Sequence, residues 1–235
     1  MKFTFAQCSL VSIESASEVW LMGVGQQEFL SFAVGCGALQ FGEFTLNSGR
    51  RSPYFFNSAA FSDGSTLSTL ADFYARTIID RVDAECMLFG PAYKGIPLVA
   101  ATAVALDRNG VGCVPYAFNR KEVKDHGDEG LLVGAPLSGR VVIVEDVITS
   151  GLSIGNAKQL ICAHGAHPVA AVISLDRSEF AVDSDLTATQ HVQNQYGVEV
   201  HALATVYDLI QFVENDRNLE CHTDRLRNYM NQYVA

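Results

Sequence analysis

Between Cys86 and Thr205 the chain repeats one pattern, a short run rich in valine, isoleucine or leucine followed by a stretch long enough for a helix. The runs are CMLFG (Cys86–Gly90), VGCVPYAF (Val111–Phe118), VVIVED (Val141–Asp146), VAAVISL (Val169–Leu175) and VEVHALAT (Val198–Thr205). Near-continuous apolarity belongs to strands covered on both faces, and helix-length connections let such strands run parallel. Ile96–Arg108 predicts a helix stopped by Asn109-Gly110, and Leu152–His164 one ended by Gly165 with Pro168 beyond. The expected class is therefore α/β, with a central, mainly parallel sheet flanked by helices. Such sheets bind ligands beyond the carboxyl ends of their strands.

The first 80 residues break the pattern. Phe41–Phe61, FGEFTLNSGRRSPYFFNSAAF, is rich in turn formers and aromatics and reads as loops and short strands. A helix around Leu67–Asp80 then leads into the sheet. Residues 22–65 are expected to cap the sheet edge within a single domain spanning 22–235. Residues 1–21 resemble a signal peptide in apolarity, but Glu14 and Glu18 interrupt the run and Met22 offers a second start. They are expected to form a poorly ordered extension.

At 235 residues and 49% apolar content the chain can bury a sizeable core. A net charge of −10 disfavours wholesale binding to nucleic acid or to an anionic membrane, so any phosphate site must be a local basic cluster. The longest apolar run, Ile96–Leu106, is about half of what a membrane helix needs. Six scattered cysteines without a CxxC pair read as reduced thiols of a cytoplasmic protein, several of them within apolar stretches. Cys162, His164 and His167 have metal-ligand chemistry, but Gly165 and Pro168 already explain that segment as a helix end.

Arg140–Gly151, RVVIVEDVITSG, runs a buried strand into two adjacent carboxylates, then into small hydroxyl-bearing residues and a glycine. In a strand Glu145 and Asp146 point to opposite faces, and neither enters a dry core cheaply. At a strand end both reach an open cleft, where they accept hydrogen bonds from hydroxyls or meet a hydrated magnesium ion. The turn Val147-Ile148-Thr149-Ser150-Gly151 aims backbone N–H groups at the start of a helix, a phosphate-sized anion site to which Thr149, Ser150 and Ser153 add hydroxyls. The plainer alternative leaves the acids solvated and makes Thr149 or Ser150 an ordinary N-cap.

This stretch resembles the phosphoribosyl-diphosphate (PRPP) signature of type I phosphoribosyltransferases. FGEFTLNSGRRSPYFFN (Phe41–Asn57), FGPAYKGIPL (Phe89–Leu98) and FNRKEVKDHGDEG (Phe118–Gly130) together resemble the orotate phosphoribosyltransferase family, over about Met22 to the C-terminus. The resemblance implies the type I phosphoribosyltransferase fold with an N-terminal hood. It also implies transfer of phosphoribosyl from PRPP to orotate, giving orotidine 5′-monophosphate and pyrophosphate in pyrimidine biosynthesis, with magnesium as cofactor.

Each stretch also has a reading of its own. In Asn119–Glu129, Arg120, Lys121, Glu122, Lys124, Asp125, Asp128 and Glu129 are charged, which by itself reads as a mobile, solvated loop. Yet Arg120, Lys121, Lys124 and His126 concentrate positive charge where a leaving pyrophosphate would need it. The resemblance implies a lid over residues 119–130 that reaches into the neighbouring site of a homodimer. Tyr93 and Lys94 follow a strand directly. Lys94 is either a snorkelling surface lysine or a pyrophosphate contact, and the resemblance implies the latter. Phe55 and Phe56 are expected in the core on composition alone, whereas the resemblance puts both against orotate as one flat wall, with Thr149 beside them. It also sets Arg177 opposite the orotate carboxylate, a bidentate pairing that would select orotate over uracil.

By the same resemblance Val147 to Ser153, including Leu152, hold PRPP, Glu145 and Asp146 hold the ribose diol, and Asp146, Glu145 and Lys124 are catalytic. Magnesium is held mainly by PRPP, with Glu145 and Asp146 meeting it through water. Asn47 stands where the family has a PRPP-binding lysine, so it brings hydrogen bonding without charge. A phosphoribosyltransferase for another base, and a PRPP-binding regulator or non-catalytic paralogue, are the competing readings.

Overall fold

The strand Met87–Gly90 (β3) is buried at all four positions, and Arg140–Val144 (β6) at all but its first. Both therefore sit where the sheet is covered on its two faces. The computed structural model describes residues 24–46, 48–82, 85–124, 130–181 and 184–235, with the backbone alone for 24, 121–124 and 130. Its elements in chain order are α1 (Val24–Gly35), β1 (Leu39–Thr45), β2 (Arg51–Phe56), α2 (Gly64–Arg81), β3, α3 (Gly95–Arg108), β4 (Tyr116–Lys124), β5 (Gly130–Gly134), β6, α4 (Leu152–Ala163), β7 (His167–Asp176), α5 (Ala188–Tyr196), β8 (Glu199–Thr205), α6 (Val206–Asn215) and α7 (Thr223–Tyr233).

The main sheet has the order β5-β4-β3-β6-β7-β8. Every pair is parallel except β4 with β5. From β3 the chain moves outward to β4, then returns to lay β6 on the other side of β3. The helices that follow these two central strands leave on opposite faces. Leu98 and Val99 of α3 pack with Leu88, Val142 and Val144, whereas Ile154, Ala157 and Ile161 of α4 pack with Phe89, Val141 and Ile143. A crevice must open between two such helices, at the carboxyl ends of β3 and β6.

The hood is a two-stranded antiparallel hairpin, β1 with β2, packed against α1 and α7. Two strands alone are marginal, and aromatic packing anchors them. Phe29 of α1 meets Phe56 and Phe73 at 6.3 and 5.5 Å, while the fully buried Tyr54 lies edge-on to Tyr229 of α7 at 6.2 Å.

Two expectations need correction. The strand expected at Val111–Phe118 begins only at Tyr116, because Gly110 and Gly112 turn the chain at φ 83° and 92° first. As far as Lys124, the charged segment after Phe118 does not leave the sheet as a loop. Its backbone continues β4 to Lys124 and pairs with β5, Phe118 opposite Val133 and Lys124 opposite Gly130. The five described cysteines are free, as expected; Cys36 and Cys86 are half-buried against the core, and Cys113, Cys162 and Cys221 are exposed. No helix among the described residues is long and apolar enough to cross a membrane. Residues 1–21, Asn47, and Asp125 to Glu129 with His126 lie outside the described residues, as do the side chains of Lys121 and Lys124.

Candidate active site

Three strand ends feed the crevice. β3 delivers Pro91 to Lys94, β6 delivers Glu145 to Ser150, and β7 delivers Arg177. Glu145 and Asp146 are 8% and 3% exposed, so neither is an ordinary solvated acid. Asp146 accepts from the Lys94 ammonium, Nζ to Oδ2 at 2.6 Å. Glu145 turns to the other side, where Ser153 of α4 donates to Oε2 at 2.5 Å and the Asp146 N–H donates to Oε1 at 3.0 Å. The pair thus spans the crevice, one carboxylate toward the start of α3 and the other toward the start of α4. Burial pushes the Glu145 carboxyl above the usual range, against the pull of those two donors. Asp146 Oδ1 is buried without a hydrogen-bond partner among the described residues. A hard carboxylate oxygen placed so fits a ribose hydroxyl or a water of hydrated magnesium. Among the described residues there is no group of three acids, histidines or cysteines that could hold a metal.

The helix starts carry a second signal. α2, α5 and α6 each open on a capping box, with Asp63, Thr187 and Thr205 accepting first-turn N–H groups. α3 and α4, the two helices at the crevice, begin at Lys94 and Gly151 without a side-chain cap from those residues, as α7 does at His222. Thr149 and Ser150 are exposed and Gly151 holds the N-cap position of α4, yet the Ser150 hydroxyl accepts the Leu152 N–H at 3.5 Å, so the plainer capping role is met in part. The N–H groups at a helix start beside a crevice suit an anion. Gly151 takes φ 75°, and a Cβ there would lie 2.7 Å from Cγ2 of the buried Val192. Its smallness therefore serves the fit of α5 behind the loop as well as the turn itself. Ser153 does not aim its hydroxyl at the phosphate loop as expected but binds Glu145.

Lys94 is about half-exposed and Tyr93 65% exposed at the crevice mouth, with Leu152 exposed on the α4 side and Val147 and Ile148 half-buried between. Asn119, which sequence reasoning missed within its charged surroundings, receives the Ala92 N–H on Oδ1 at 3.0 Å. It joins the Pro91–Lys94 loop to the base of the β4–β5 arm, where Arg120 is half-buried.

Arg177 stacks on the Tyr54 ring at 4.0 Å, and its Nε donates to Glu179 at 2.7 Å. Its Nη2 donates to Ser52 Oγ at 2.8 Å and to the Tyr229 hydroxyl at 3.3 Å. Glu179 also takes Arg50 at 3.3 Å and the Tyr229 hydroxyl at 2.7 Å. These partners lie far apart in the chain, and nothing in the sequence marks them. Phe55 and Phe56 do not share one wall. Phe56 turns into the core beside Phe29 and Phe61, while Phe55 is 38% exposed and stacks on Phe44 at 5.4 Å.

This fold and this crevice define a phosphoribosyltransferase, and the family model described as a phosphoribosyl transferase domain matches residues 63–205. An orotate phosphoribosyltransferase of Thioalkalivibrio sulfidiphilus is 50% identical over 208 residues, covering 88% of this chain and 97% of that protein. One of Methylococcus capsulatus is 47% identical with the same coverage. The crystal structure of orotate phosphoribosyltransferase from Francisella tularensis is 38% identical with a TM-score of 0.80, covering 88% of this chain and all of that one. The chain belongs to the orotate phosphoribosyltransferase family.

Proposed function

We propose that this protein transfers the 5-phosphoribosyl group of PRPP to N1 of orotate, giving orotidine 5′-monophosphate and pyrophosphate in pyrimidine biosynthesis. The observation that carries the reading is the buried acidic pair between two helix starts, with Lys94 on one acid and Ser153 on the other. Relatives named for this reaction, about half identical over nearly their whole length, support it.

In this reading the 5′-phosphate lies in the Val147–Ser153 loop and the ribose diol on Glu145 and Asp146. The bond from C1 to the diphosphate oxygen breaks, its electron pair leaving with pyrophosphate. N1 of orotate supplies the new pair, and its proton passes to the departing pyrophosphate or to water. Positive character at C1 and negative charge on the leaving group make catalysis mainly a matter of positioning and electrostatics. Lys94, Arg120, Lys121, Lys124 and His126 hold the diphosphate, with Tyr93 at its loop. Magnesium, which Glu145 and Asp146 would meet through water, neutralises diphosphate charge when bound. Arg177 takes the orotate carboxylate, with Phe55 and Thr149 beside the base. The β4–β5 arm serves as a lid over the neighbouring site of a cytoplasmic homodimer.

The test is the fall in orotate absorbance on mixing the protein with PRPP and magnesium, with uracil, hypoxanthine and adenine in parallel. Consumption of orotate alone is expected. Turnover of another base would overturn the base assignment, and no turnover, even with Asn47→Lys, would overturn the enzymatic reading.

A further inference from the structure

Two buried hydroxyls behind the acidic pair take no part in the chemistry above. Tyr74, midway along α2, and Ser174, near the end of β7, are both fully buried. The Tyr74 hydroxyl donates to the main-chain carbonyl of Glu145 at 2.7 Å and lies 2.8 Å from Ser174 Oγ. Because its single proton goes to the carbonyl, the Ser174 hydroxyl donates to it. Burial and the nearby acids hold the Tyr74 pKa well above its ordinary value, so it remains a donor.

The reason that carbonyl needs a donor lies in the sheet. In a regular parallel ladder, the residue whose N–H donates to Val172 would accept from the N–H of Ser174. Glu145 does donate to Val172 O, at 3.0 Å, but the Ser174 N–H passes it by and donates to Asp146 O at 2.8 Å. The ladder slips by one residue at the first acid, as at a bulge, and leaves the Glu145 carbonyl without a sheet partner. A buried carbonyl in that state is costly. Its plane is that of the peptide joining Glu145 to Asp146, so whatever holds it sets how the two carboxylates diverge across the crevice.

We propose that Tyr74, backed by Ser174, is a positioning residue for the acidic pair: its hydroxyl takes the carbonyl freed by the slipped ladder and fixes the Glu145–Asp146 peptide for transition-state binding. This rests on the reading of Glu145 and Asp146 as the acids that hold the ribose.

The experiment compares Tyr74→Phe, Ser174→Ala, Asp146→Asn and the double variant Tyr74→Phe/Asp146→Asn in the full chain. Steady-state kinetics in PRPP and thermal melts are recorded for each. Tyr74→Phe is expected to lower kcat about tenfold, the worth of one strong hydrogen bond, with the KM for PRPP changed by less than about threefold. Ser174→Ala keeps both main-chain bonds and should lower kcat in the same direction by about threefold, which keeps the test open if the tyrosine variant fails to fold. With Asp146 already replaced, adding Tyr74→Phe should lower kcat by clearly less than its loss in the wild-type background, since only the Glu145 carboxylate is left to orient. Equal losses from Tyr74→Phe with and without Asp146 would overturn the proposal, because a merely structural hydroxyl acts independently of the acid. A normal kcat for Tyr74→Phe beside an impaired Asp146→Asn would overturn it alone. A normal kcat for Asp146→Asn would overturn the acid reading and this inference with it.

Discussion

Replacing Gly151 by alanine tests how the Val147–Gly151 loop is held. Two separate penalties follow from the structure. The residue sits at φ 75°, which costs an L-residue about 1–2 kcal/mol. The new Cβ would also stand 2.7 Å from Val192 Cγ2. Val192 is fully buried in the middle of α5, and a β-branched side chain in a helix has essentially one rotamer, so it cannot swing aside. Forcing an extra methyl into such a site costs about 1–3 kcal/mol. The sum, about 2–5 kcal/mol, corresponds to a fall of roughly 5–15 °C in Tm for a domain of this size. The loop backbone must shift to relieve the contact, so the KM for PRPP should rise as well. The decisive comparison is the double variant Gly151→Ala/Val192→Ala. Val192→Ala alone should lose about 2 kcal/mol of burial, but combined with Gly151→Ala it also removes the clash. Melts and urea titrations of the four proteins should therefore show the double variant more stable than the sum of the single changes, by about 1 kcal/mol or more. Strict additivity would refute the claim that α5 packing requires the glycine and would leave backbone conformation as the sole cause.

Two further outcomes follow from the same geometry. Burial raises the folded-state pKa of Glu145, so the folded protein holds that proton more tightly than the unfolded chain does. The contribution of this group to stability is therefore present at low pH, declines as pH rises from the usual glutamate range to the raised value, and stays lost above it. Relative to wild type, ligand-free Glu145→Gln should gain stability as urea titrations move from about pH 4 toward neutrality. A pH-independent difference would refute the assignment. Gly90→Ala would place a Cβ 2.2 Å from the Gly95 carbonyl oxygen and 2.6 Å from Val99 Cγ1. Main chain cannot yield as a flexible side chain can, so a loss of at least about 3 kcal/mol is expected in circular-dichroism melts, and a near-normal Tm would count against the close packing of β3 on α3.

The parts of the molecule that sequence made legible are those governed by local rules. VVIVED had to be a buried strand with acids at its end, and Asn109-Gly110 and Gly165 had to stop their helices, because each conclusion depends on neighbours within a few residues. The neighbouring letters Phe55 and Phe56 show where this fails. Strand geometry sends adjacent side chains to opposite faces, yet which of the two turns inward depends on Phe29 and Phe61, outside any local window. The run from Asn119 read as a loop because its charges exclude a core strand. β4 can continue through it because it pairs with β5 at the sheet margin, where charge is tolerated. α7 was missed for the opposite reason. In TDRLRNYMNQY only Leu226 and Tyr229 are buried, too sparse a stripe to announce a helix that closes over Arg177.

The hairpin of the hood has a consequence for the order in which the molecule assembles and opens. Two strands cannot hold themselves together, and β1–β2 relies on Tyr229 and on Arg177, whose bond to Ser52 closes a separation of 125 residues. Contacts so distant along the chain repay their loop entropy only after the intervening sheet exists, so the hood should settle last during folding. In the native state the same economy of contacts makes it the first region to open. Amide protons of β1, β2 and α7 should then exchange with solvent together, as one cooperative unit, while those of β3, β6 and β7 remain protected until the whole domain unfolds.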